Sequence, residues 1–155
     1  MRFEKFVKSL GSTGTIYERE NGDRWLASGD VYMLIPPTIE SIAGTKIAAM
    51  PKNVEKMILA ETHTTPAQLT AAYMPVPSGG IKDCQREFRS AAEDLPIRIA
   101  NDGFALLDKT DIIEIFYTYD LEHDTQDAKA LFVKNYPLVP DDPDKLVGII
   151  FPISL

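Results

Sequence analysis

Turn signals cut this chain into short β-rich runs before any of them grows long. In the first 37 residues Thr15–Glu20 (TIYERE), Arg24–Ser28 (RWLAS) and Val31–Ile35 (VYMLI) are separated by Asn21-Gly22, a strong hairpin signal, and by Gly29-Asp30. Pro36-Pro37 ends the third run. The expectation is a three-strand antiparallel meander. Ahead of it, Phe3, Phe6, Val7 and Leu10 recur at i, i+3, i+4, i+7 and predict a short helix over 2–10, capped by Gly11.

The middle is less regular. A strand is expected around Lys46–Met50, and Pro51 suits the start of a short helix carrying Val54, Met57 and Ile58. Residues 65–76 fit either a helix, from the capping-box pattern Thr65-Pro66-Ala67-Gln68, or a strand over Leu69–Val76. Ser78-Gly79-Gly80 reads as a loop. Ile81, Cys84, Phe88, Ala91, Ala92 and Leu95 fall on one stripe at helical spacing, so a helix is expected over Ile81–Leu95, ended by Pro96. Apolar runs follow at Ile97–Ile99, Phe104–Leu107, Ile112–Tyr119 and Ala128–Lys134. After a Pro/Asp loop over 136–144, Leu146–Ile153 reads as a final strand, with Pro152 marking an edge or terminal position. A helix followed by strands thus occurs twice, over 1–77 and 78–155. The fold class expected is α+β: one domain of two similar halves, each a helix plus antiparallel strands, with the helices covering one face of the sheets.

At 155 residues, 45% hydrophobic and 25% charged, the chain has the composition of one globular domain. No apolar run approaches the roughly 18–20 residues of a membrane span. The charged N-terminal stretch MRFEKFVKSL lacks the apolar core of a signal peptide, and the single cysteine, Cys84, rules out an internal disulfide. A cytoplasmic protein with no membrane partner is expected. The net charge of −7 is unevenly spread: residues 1–77 carry 8 basic and 8 acidic side chains, and residues 78–155 carry 8 and 15. An acidic field repels nucleic acid, so contact with it requires a local basic face.

Catalytic patterns are sparse. No nucleophile elbow, Walker loop or dinucleotide fingerprint occurs, and Gly11-Ser12-Thr13-Gly14 reads as a helix-to-strand turn. Cys84 falls on the apolar stripe of its expected helix, as a buried thiol would. His63 and His123 lie in polar loops without an evident partner. Asp120, Glu122, Asp124 and Asp127, with His123 among them, are the candidate ligands for a hard cation, and a metal-dependent enzyme is one reading of them. An EF-hand loop beginning at Asp120 fails, because Thr125 and Leu131 stand where Gly and Glu are needed. No cofactor is implied.

The positive signal lies on two expected helices. Arg2, Lys5 and Lys8 lie opposite the apolar face of the first. Lys82, Arg86 and Arg89 fall together on one flank of the second. Two basic helix faces could follow a phosphate backbone without reading sequence.

This organisation resembles the DNA sliding clamps, the processivity factors of DNA polymerases. In that family each domain holds two copies of a helix plus antiparallel strands, and basic helix faces line a channel within an acidic protein. The ending Leu146–Leu155 (LVGIIFPISL) is similar to the apolar strand and Pro that close bacterial clamps. The resemblance implies a non-enzymatic DNA-replication accessory, with Arg2, Lys5, Lys8, Lys82, Arg86 and Arg89 facing double-stranded DNA and replication proteins as partners. Clamp subunits carry two or three such domains. A lone domain would have to form a homo-oligomer to close a ring. A small protein-interaction or regulatory domain without nucleic-acid binding is the alternative.

Overall fold

The computed structural model describes residues 1–10, 13–73, 80, 83–92, 94–135 and 144–153. Gly11, Ser78-Gly79, Lys82 and most of the 136–144 loop therefore lie outside the described residues. The fold is α+β, as expected.

The chain opens with helix α1 (Phe3–Ser9) and the meander β1 (Thr15–Glu18), β2 (Arg24–Ser28) and β3 (Val31–Leu34). The Asn21-Gly22 signal is used, but in a longer loop than the two-residue turn it suggests. Arg19 and Asp23 close a three-residue loop through the Arg19 N–H to the Asp23 carbonyl, 2.9 Å, and Gly22 takes the positive φ of 91° that the loop needs. Strand β4 (Lys46–Ala49) returns parallel to β1, the parallel pair in an otherwise antiparallel sheet. Helix α2 (Lys52–Leu59) follows Pro51.

The expected order then breaks down. After the short β5 (Thr64–Pro66), residues 68–73 form strand β6 (Gln68–Tyr73), which resolves the middle in favour of a strand. The described residues of Ile81–Leu95 do not form the helix expected there: Gln85–Ser90 is strand β7, and β8 (Leu95–Ala100) pairs with it. The second half is therefore led by a hairpin where the first is led by a helix. Asn101-Asp102-Gly103 opens a one-turn helix, α3 (Asn101–Phe104), and β9 (Ile112–Asp120), β10 (Thr125–Asn135) and β11 (Lys145–Ile150) complete the chain. Pro152 stands just past β11, which is an interior strand rather than an edge.

The strands form an eight-stranded sheet, ordered β4-β1-β2-β3-β11-β10-β9-β5, and a three-stranded sheet, β6-β7-β8. Side-chain alternation gives the large sheet two buried faces. On one, Leu26, Met33, Leu131, Val133 and Ile150 pack with Phe6 and Leu10 of α1 and with Phe88, Ile97 and Ile99 of the small sheet. On the other, Trp25, Phe116, Phe132 and Ile149 pack with Val54 and Ile58 of α2. Helices thus cover both faces of the large sheet, not one. Among the described residues no helix is long and apolar enough to cross a membrane.

A charged group is built into the second face. The Lys134 ammonium lies 2.6 Å from Glu114 Oε1 and donates to the Glu61 carbonyl at 3.1 Å, just past α2, while the Thr64 hydroxyl donates to Glu114 at 2.7 Å. Removing one member of such a pair leaves a buried charge uncompensated. Glu114→Ala is expected to lower stability by about 3 kcal/mol in urea unfolding, and Lys134→Met in that background to recover most of the loss. Additive losses in the double variant would refute this.

On the same face Tyr17 and Tyr32 stack at 5.7 Å, with Phe151 edge-on to Tyr32 at 5.5 Å. Burial raises the Tyr32 phenol above its ordinary 10.0, and the neighbouring Tyr17 adds to the rise. The folded chain therefore holds this proton more tightly than the unfolded one. The resulting stability is complete below pH 10 and is lost as pH rises through the folded value. An absorbance titration should show a late-ionising tyrosine that Tyr32→Phe removes.

Candidate functional site

On a helix, Arg86 and Arg89 would share a flank. On strand β7 their positions differ in parity, so they face opposite ways. Arg89 joins Glu87 on the outer face of the small sheet and is paired with Asp94 at 2.8 Å. Arg86 follows the parity of Phe88 and Ser90, which face the large sheet. There Ser90 meets the Thr65 hydroxyl at 2.7 Å. The Arg86 guanidinium sits 4.5 Å above the centre of the Phe104 ring, and its Nε is buried with no hydrogen-bond partner among the described residues.

This inward turn brings Arg86 to a groove of about 530 Å³ that Arg2, just before α1, and Lys5 of α1 also line, together with Lys109 and Phe104. Three of the six residues expected to contact nucleic acid, Arg2, Lys5 and Arg86, thus converge from segments some 80 positions apart. Lys8 does not line this groove; with Arg2 and Lys5 it lines a neighbouring cleft against Pro36 and Ile39. Lys82 is outside the described residues. Lys109 was hidden in the most acidic stretch of the sequence, and Phe104 in an unremarkable apolar run. Only the pairing of α3 with β7 shows that the ring serves Arg86.

The groove holds four basic side chains and two acidic ones, Asp108 and Asp111. Asp111 is fully engaged. The Met1 amino group lies 2.7 Å from one of its oxygens, and the Asp108 N–H donates to the other at 2.8 Å. Asp108 is half exposed and accepts from Arg2 Nε at 3.2 Å, while Lys5 donates to the Ala105 carbonyl at 3.2 Å. The net local field is positive within a chain of net charge −7.

The candidate metal ligands lie elsewhere, at the tip of the β9–β10 hairpin. Asp120, Glu122 and His123 bring ligand atoms within 4.8 Å of one another; Asp124 and Asp127 do not join them. His123 Nδ1 lies 2.7 Å from Asp120. That hydrogen bond, aided by the backbone N–H groups of His123 and Glu122, holds the Asp120 carboxyl below its ordinary range. Glu122 and His123 are exposed, and the basic groove is not lined by this cluster. His63 is an exposed turn residue stacked on Tyr117 at 5.2 Å. Cys84 is buried as expected, ahead of a strand instead of on a helix.

Comparisons with protein-family models, curated proteins and solved structures give no match for this chain.

The Arg86–Phe104 contact is measurable by a double-mutant cycle of Arg86→Met and Phe104→Leu. A coupling of about 0.5–2 kcal/mol in favour of the wild-type pair is expected. A coupling near zero would show that the ring does not hold the guanidinium.

Proposed function

We propose that this protein is a non-enzymatic binding module whose basic groove receives the phosphate backbone of double-stranded DNA. The observation behind this reading is the convergence of Arg2, Lys5, Arg86 and Lys109 from three separate chain segments on one groove of an otherwise acidic protein. Chance scattering of basic residues gives solvated single charges. Here Arg86 is buried in part and braced by an aromatic ring, so its charge is held at the groove at little further entropic cost. A sliding-clamp-like role in replication is the finer form of the same reading, with α1 supplying the basic helix face and β7 standing where a second helix was expected. It requires several copies to surround a duplex.

Binding of this kind depends on counterion release. Neutralising up to four phosphates gives a log–log salt slope of roughly −3 to −4, or about a hundredfold weakening between 50 and 200 mM salt. Fluorescence anisotropy with a labelled duplex of random sequence measures both. Lys5→Glu with Lys109→Glu, both exposed, should weaken binding at least tenfold, while Arg89→Glu on the opposite face should leave it unchanged. Absence of binding at low salt, or equal loss in both variants, would overturn the reading.

A further inference from the structure

The cations of the groove are not equally committed. Arg2 is held by Asp108, and Lys5 by the Ala105 carbonyl. The other carboxylate of the groove, Asp111, is taken up by the Met1 amino group. Among the described residues, Arg86 and Lys109 have neither a carboxylate nor a hydrogen-bond acceptor. Lys109 is exposed, so water solvates it. Arg86 is half-buried. Its Nε is shut off from water, and its guanidinium rests on the Phe104 ring at 4.5 Å. A cation withdrawn from water without an anionic partner is costly. An anion entering the groove would supply one.

The floor of the groove is apolar. Leu69 stands opposite Phe88 in the β6–β7 ladder, so both side chains point toward the large sheet. Phe88 is buried there, whereas Leu69 lines the groove and stays 47% exposed. Leu107 and Ile113 line it as well. The backbone of an intact duplex has nothing to set against such a surface, because its bases are stacked inside. An unstacked base does, and unstacking costs least where the strand is already single. At about 530 Å³ the groove also has the size of a small-molecule site.

Charge narrows the ligand further. A backbone phosphate carries one negative charge, whereas a terminal phosphate monoester carries about −1.5 to −2 at neutral pH. Two uncommitted cations match the monoester. We infer that the groove takes a nucleoside phosphate monoester, with its phosphate on Arg86 and Lys109 and its base against Leu69 and Ile113. A free nucleotide and the 5′-phosphate end of a DNA strand both carry that chemistry. The inference rests on the proposed function only in taking the groove as a phosphate site.

Binding of defined DNA ends tests it. The probe for fluorescence anisotropy is a labelled duplex with a short 5′ overhang ending in a phosphate. Its twin ending in a 5′-hydroxyl should bind about tenfold more weakly. Closed circular duplex, which has no end, should compete no better than the hydroxyl twin. Adenosine monophosphate should displace the probe at concentrations where adenosine and inorganic phosphate do not. Arg86→Gln should abolish the preference for the phosphorylated end. Lys109→Gln and Leu69→Ser, both at exposed positions, should each reduce it and keep the test open if the Arg86 variant fails to fold by circular dichroism. A preference unchanged in the folded variants, or displacement by inorganic phosphate as strong as by adenosine monophosphate, would overturn the inference. If both ends and the circle bind alike, this inference fails and the duplex reading stands. If calorimetry shows adenosine monophosphate bound while no duplex binds, the duplex reading fails and this one stands, with the free nucleotide as ligand. If the phosphorylated end is preferred and free adenosine monophosphate does not compete, the strand end is the ligand.

Discussion

Burial of β10 on both faces is the constraint on which the rest of this structure depends. Ala130, Leu131, Phe132 and Val133 are all removed from water, and alternation sends Leu131 and Val133 into one core and Ala130 and Phe132 into the other. Neither core would exist without a separate cover. The N-terminal helix and the small sheet supply one, and α2 the other. A strand buried on both faces reads as an unbroken apolar run, and the segment Ala130–Val133 is one. A register slip of one residue would exchange the two cores, each shaped for different neighbours. The β-bulges flanking this segment, near Ala128 and after Val133, bound the stretch whose register must hold.

The groove inherits its geometry from that arrangement. Because α1 and the small sheet cover the same face, Lys5 of the first helix and Arg86 of β7 line one groove although some 80 positions separate them. The loop preceding β9 closes the third side. The Met1 ammonium binds Asp111 and so removes from the groove the one buried carboxylate that could have neutralised it. A strongly acidic chain can therefore hold a basic surface without special composition. Local ion pairing decides which charges are free to act.

Local signals were legible where a turn or a cap is set by its own residues. The Gly29-Asp30 turn, the Pro51 helix start and α1 fall where the sequence places them. The Ile81–Leu95 segment failed for a physical reason. Cys84 and Phe88 are four apart, a spacing that fits the helical period and the strand period alike. What should have separated the two is alternation, and it is masked: the inward positions between and beyond them are Arg86 and Ser90. Both are polar because the fold gives them partners, Phe104 for one and Thr65 for the other. Those partners lie far off in sequence, so the signal is invisible until the sheets are assembled. The same masking concealed the groove. The basic residues were noticed, but the wrong period placed Arg89 beside Arg86 and left Lys109 out.

The position of β11 governs how this chain can come into being. It is the last strand, yet it lies between β3 and β10 and joins the N-terminal meander to the rest of the large sheet. Until it is made, β3 and β10 each present an unpaired edge, and Trp25, Leu26 and Phe132 have no complete core to enter. On the ribosome, the first meander must wait through more than a hundred residues of synthesis before its neighbour emerges. Long-range closure of this kind slows folding and leaves sticky edges open meanwhile. A chain cut short before β11 would leave the edges of β3 and β10 unpaired and neither core closed.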